Sequence, residues 1–81
     1  MSSILQQRAR VLIVDDEHEH AATLARLLAR EGFDSVVVHQ VNDALQELRQ
    51  HAFDVVLTDE CLKDVEKVHQ RYRDPTTRPI E

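Results

Sequence analysis

Two apolar runs in this chain end in acids. VLIVDDEHEH, residues 11–20, passes from four aliphatic side chains into Asp15, Asp16, Glu17, His18, Glu19 and His20; FDVVLTDE, residues 53–60, passes from VVL into Asp59 and Glu60. Carboxylates gathered within contact range repel one another, and the repulsion raises at least one pKa unless a cation is bound. A hard divalent ion settles that conflict. Mg²⁺ prefers carboxylate and water oxygens in octahedral array and keeps positions open for a phosphate oxygen. A carboxylate can itself attack phosphorus when a metal positions the phosphoryl group and neutralises its charge, so one Asp could become an aspartyl phosphate. These acids therefore point to Mg²⁺ and phosphoryl chemistry, provided that the fold brings Asp15, Asp16 and Asp59 to one place.

The elements that must do so follow from periodicity. Arg10–Val14 reads as a strand, because VLIV is a continuous apolar run rich in β-branched residues, the pattern of a strand covered on both faces, which favours a parallel sheet. Ala21, Leu24, Ala25 and Leu28 recur at helical spacing, with Arg26 and Arg30 on the other side and Gly32 beyond as a stop signal. Val36–Val38 reads as a second strand. Val41, Ala44, Leu45 and Leu48 repeat the helical spacing, and Phe53 leads into a third strand at Val55–Leu57. Beyond Asp59, the residues Leu62, Val65, His69 and Tyr72 line one side of a third helix, which Asp74-Pro75 should end. Alternating strands and helices imply parallel strands joined by right-handed crossovers, with helices over the sheet. All strands then end on one edge. If the first and third are neighbours, Asp15, Asp16 and Asp59 converge where doubly wound sheets take their ligands.

With these motifs in place, the chain resembles the receiver domains of two-component response regulators. VLIVDDE, the helix up to EGF, the DAL stretch at Asp43–Leu45 and FDVVLTD at Phe53–Asp59 are similar to that family's first three strands and two helices. The resemblance implies a flavodoxin-like, receiver-like α/β fold with a parallel sheet of strand order 2-1-3, here an incomplete βαβαβα. It implies Asp59 as the phosphoacceptor, Asp16 as a direct Mg²⁺ ligand, Asp15 as a ligand directly or through water, and the backbone carbonyl of Cys61 as the remaining protein ligand. A histidine kinase or phosphotransfer protein is the implied phosphoryl donor. The function expected is that of a phosphoacceptor in a two-component phosphorelay, a signalling domain and not an enzyme.

The chain also departs from the family pattern. Leu62 and Lys63 stand where the family has Met-Pro, and no Gly follows. The family's hydroxyl residue and phosphate-contacting Lys, at the ends of its fourth and fifth strands, have no counterpart. The expectation is one truncated receiver-like domain over residues 1–81, with an arm at 1–9, the βαβαβα unit at 10–74 and a tail at 75–81. Without those groups, phosphorylation is expected to be slow, short-lived or absent. In the order 2-1-3 the third strand is an edge that VVL leaves without a guarding Lys or Pro. Either the chain is a piece of a longer regulator, or it pairs along that edge with another protein or another copy, a homodimer being the preferred form. The alternative function is a degenerate receiver that serves as a phosphorylation-independent dimerisation or docking module.

Composition limits the other readings. The chain has 81 residues, 42% of them hydrophobic, and a formal charge of −5, which suits one small domain with a limited core. Its ten Lys and Arg are mostly interleaved with acids, so no basic stripe exists for nucleic acid. Apolar stretches are too short to span a bilayer, MSSILQQRAR lacks the core of a secretory signal, and the single Cys61 agrees with a reducing compartment, so the cytoplasm is expected. His18 and His20, two apart on a helix, read as a solvated first turn and not as metal ligands; His39, His51 and His69 read as surface residues. Lys63 reads as a solvated Lys, and Thr58 should point away from Asp59. A dehalogenase-type phosphohydrolase would show D-x-D-x-T, whereas Asp15 is followed by Asp16, Glu17 and His18. Gly32 is the only glycine, so no phosphate-cradling loop can be built.

Overall fold

The computed structural model describes residues 8–59 and 61–73. They form β1 (Arg10–Val14), α1 (His18–Arg30), β2 (Asp34–Val38), α2 (Val41–Gln50), β3 (Val55–Thr58) and α3 (Val65–Arg73). The strands make one parallel sheet in the order β2-β1-β3, the flavodoxin-like receiver-type arrangement that the sequence implies. β2 starts two residues before its apolar run because pairing with β1 sets Asp34 opposite Arg10, where its side chain stays exposed. β3 likewise runs on to Thr58, opposite Val14.

β1 is buried on both faces, as its unbroken apolar run requires. Leu12 and Val14 pack with Ala44 and Leu48 of α2, Phe53, and Val68 of α3; Val11 and Ile13 pack with Ala21 of α1 and, around them, Leu24, Ala25, Leu28 and Phe33. Each large aliphatic side chain buried this way contributes about 1.5–3 kcal/mol. The central strand is thereby fixed in register, which in turn fixes the residues at its carboxyl end.

The ends of the helices show how local chemistry stops and starts them. Gly32, at φ 91, follows α1 in the left-handed conformation. Its N–H donates to the Ala29 carbonyl and that of Phe33 to the Leu28 carbonyl, while Phe33 and Leu28 share one apolar cluster. α3 starts at Val65, later than the spacing predicts, so Leu62 lies in the preceding turn. The turn is made by Asp64 at φ 64, an αL conformation that Asp tolerates better than most residues. The apolar stripe of α3 is Val65, Val68 and Tyr72, with Val68 fully buried and His69 at its margin. The Tyr72 hydroxyl donates to the Phe53 carbonyl at 2.9 Å and ties α3 to the approach to β3. Asp74-Pro75, residues 1–7 of the arm and the tail lie outside the described residues.

β3 is an edge of the sheet. Val56 packs against the α2 and α3 side, whereas Val55 and Leu57, on the side of α1, are 41% and 36% exposed. The reason is that α1 packs over β2 and β1. Among the described residues no helix is long and apolar enough to cross a membrane.

Candidate functional site

The site lies at the carboxyl edge of the sheet and is set by strand register. Val14 pairs with Thr58, so Asp15 and Asp59 leave the sheet side by side. The ladder continues one step past the strands, with the Asp15 N–H donating to the Val38 carbonyl and the Asp59 N–H to the Val14 carbonyl, both at 3.1 Å. Carboxylate oxygens of Asp15, Asp16 and Asp59 all lie within 4.8 Å of one another. A cavity of about 390 Å³ opens beside Asp15 and Asp59, floored by Ile13, Leu24 and Leu57.

The three acids differ in environment. Asp15 is 4% exposed, Asp59 half-buried and Asp16 exposed. Burial alone would push the Asp15 carboxyl up, yet its pKa is lowered, first by the Glu17 N–H donated to Oδ1 at 2.9 Å and next by the hydrogen bond between Oδ2 and His20 Nδ1 at 2.5 Å. The positive charges available to His20 and His39 act in the same direction. In return the pKa of His20 is raised, chiefly by its hydrogen bond to Asp15, with the charges of Asp15, Glu17 and Asp59 adding to it against the effect of burial. Asp59 is steadied by the Cys61 N–H, which donates to Oδ1 at 3.0 Å, while the Leu62 N–H donates to its carbonyl at 2.9 Å. These two bonds start the turn that Asp64 completes.

The donor set fits a hard divalent cation. Oxygens bound octahedrally to Mg²⁺ at about 2.1 Å sit at most about 4.2 Å apart. The cluster, at 4.8 Å or less, has to draw in by a fraction of an ångström. Three carboxylates without nitrogen or sulfur are the ligands such an ion prefers.

Two histidines keep to the surface as expected and outside the ligand cluster, yet make contacts that this expectation does not include. His20 is not merely part of a solvated turn, since its ring reaches back one turn to Asp15. His39 is not a bystander either: its Nδ1 donates to the Asp15 carbonyl at 2.8 Å, and its ring stacks on His18 with centroids 3.7 Å apart and planes 6° from parallel. A signal for His20 was present. With Glu17 as the N-cap of α1, His20 is the third helical residue, the position whose side chain folds back toward the cap in a capping box. No comparable signal exists for His39, which reaches Asp15 from the end of another strand. The Thr58 hydroxyl meets His69 Nε2 at 2.8 Å, on the α3 side of the sheet, which leaves it turned from Asp59 as alternation predicts. Lys63 lines a separate hollow with Asp16, His18 and His39.

Comparison with known proteins agrees with this geometry. The family model described as the response regulator receiver domain matches residues 11–67, from the second residue of β1 into α3. The transcriptional regulatory protein ZraR of Salmonella typhimurium is 28% identical over 65 residues, covering 80% of this chain and 15% of that protein. The sensory transduction protein RegX3 of Mycolicibacterium smegmatis is 47% identical over 49 residues, covering 60% of this chain and 22% of that protein. The aligned part is thus under a quarter of the length of either relative. No solved structure matches the chain significantly. A parallel 2-1-3 sheet, an acid pair leaving its middle strand beside a third acid, and a family match spanning all three acids lead to one conclusion: the chain belongs to the receiver-domain family of response regulators.

Proposed function

We propose that Asp59 accepts a phosphoryl group from a phosphohistidine of a histidine kinase or phosphotransfer protein, in the cytoplasm, as one step of a two-component phosphorelay. Family membership supports the signalling role, since receiver domains are signalling modules that bind Mg²⁺ at an acidic cluster. In this reading Asp16 and Asp59 hold Mg²⁺ directly, Asp15 holds it directly or through water, and the Cys61 carbonyl completes the protein ligands. When bound, the ion neutralises charge on the phosphoryl oxygens. An Asp59 carboxylate oxygen attacks phosphorus, the P–N bond to the donor imidazole breaks, and the imidazole leaves with that electron pair and takes up a proton. In this reading Oδ1 stays with the Cys61 amide and Oδ2 is the attacking oxygen. The observation that carries this reading is the meeting of the adjacent Asp15 and Asp16 with Asp59, distant from them in sequence, within 4.8 Å.

The test uses beryllofluoride with Mg²⁺, followed by amide shifts. Shifts centred on Asp16, Asp59 and Cys61, absent in Asp59→Asn and in Asp16→Ala, are expected. The exposed Val55 and Leu57 of β3 favour a second reading, a docking module that works without phosphorylation and pairs with another copy or another protein along that edge. No shift at saturating reagent would decide for the docking module.

A further inference from the structure

Asp15 is held at each of its polar atoms. Its N–H is bound to the Val38 carbonyl, its Oδ1 to the Glu17 amide, its Oδ2 to His20 Nδ1 and its carbonyl to His39 Nδ1. Two of those four partners are backbone groups that any sequence would supply. The other two are imidazoles, brought from the first turn of α1 and from the residue after β2. We propose that His20 and His39 are positioning residues that clasp Asp15 and so set the Asp15–Asp16 pair in its metal-ready arrangement before an ion arrives.

The geometry gives each ring a separate task. The Asp15 carbonyl belongs to the planar peptide that leads into Asp16, so anchoring that oxygen orients the plane from which Asp16 departs. Asp16 is exposed, and its carboxylate accepts no hydrogen bond among the described residues, so its aim depends on that anchor. A carbonyl only accepts, so His39 carries its proton on Nδ1. His39 is itself steadied by the parallel ring of His18, which links the end of β2 to the start of α1 across the acid loop. His20 fixes the other end of Asp15, its carboxylate. Neither imidazole belongs to the cluster of ligand atoms within 4.8 Å, which consists of the three aspartates. They hold the ligands and do not add to them.

This inference rests on reading the acids as a Mg²⁺ site, and the experiment separates the two. Mg²⁺ is titrated into the wild-type chain and into His20→Ala, His20→Asn, His39→Ala and His39→Asn, following the amides of Asp16 and Asp59, with thermal unfolding measured without metal. Partners that orient metal ligands typically contribute 10- to 100-fold in affinity, so each alanine variant should bind Mg²⁺ about 10-fold more weakly. Asparagine, whose side-chain N–H falls near the place of Nδ1, should restore most of the loss. Wild-type binding with alanine variants within twofold of it overturns the clasp and leaves the metal site standing. A loss that asparagine does not restore, together with a lower unfolding midpoint, also overturns the clasp, because it reports general destabilisation. Failure of the wild type to bind Mg²⁺ overturns the site reading and the clasp with it.

Discussion

At the scale of single residues, the pairing of Asp15 with His20 makes stability depend on pH in a defined direction. A histidine whose folded pKa lies above its unfolded value contributes stability that is full below that value, 6.5, and is lost as pH rises through the folded pKa. An aspartate with a lowered folded pKa contributes above its unfolded value, 3.8, and loses that contribution as pH falls through the folded one. Urea denaturation of the metal-free chain between about pH 5 and 9 should therefore show stability declining above the unfolded histidine value, and His20→Ala should flatten that decline. An equal slope in the variant would mean that the pairing of His20 with Asp15 is not the source of the decline. Spacing revealed the acids at this scale but not their partners. Asp15 and Asp59 are marked by standing at strand ends, whereas His39 is 24 positions from the carbonyl it serves.

At the scale of elements, α1 offers the sharpest test. A Cβ built on Gly32 meets nothing within 4 Å, so any cost of a side chain there is a cost of the backbone at φ 91. Gly32→Ala should destabilise the fold by about 1 kcal/mol, visible as a lower urea midpoint at unchanged slope. The midpoint staying where it is would show that the turn relaxes to another conformation. β1 is readable to the residue because an apolar strand buried on both faces leaves no ambiguity in its ends. β2 and α3 are less so, for identifiable reasons: pairing with Arg10 draws Asp34 into the sheet, and the left-handed Asp64 delays a helix that the periodicity of Leu62 and Val65 would begin earlier.

For the whole molecule, the edge of β3 decides how copies could meet. Two copies related by a two-fold axis and pairing β3 antiparallel about Val56 would set Asp54 opposite Thr58, and so next to the other copy's Asp59, at both ends of the ladder, in a chain that already carries a net charge of −5. The apolar pairs in the middle, Val55 with Leu57 and Val56 with its own copy, favour that contact, and the acids at its ends oppose it. Self-association along this edge should thus be weak at low ionic strength and strengthen with salt, as screening removes the end repulsion. Light scattering at micromolar concentration across a salt series checks this. Association that weakens with salt, or is absent throughout, removes edge pairing of copies as a mode of action.

The order of elements, the parallel sheet and the gathering of three acids at one rim could be read from the chain alone. Apolar periodicity is local, crossover handedness is general, and together they put every strand end on the same side. Which groups hold those acids could not be read there. The contacts of His20 and His39 depend on how the start of α1 and the end of β2 come together over the first strand, and that distance is settled by packing on both faces of β1, which no spacing of residue types records.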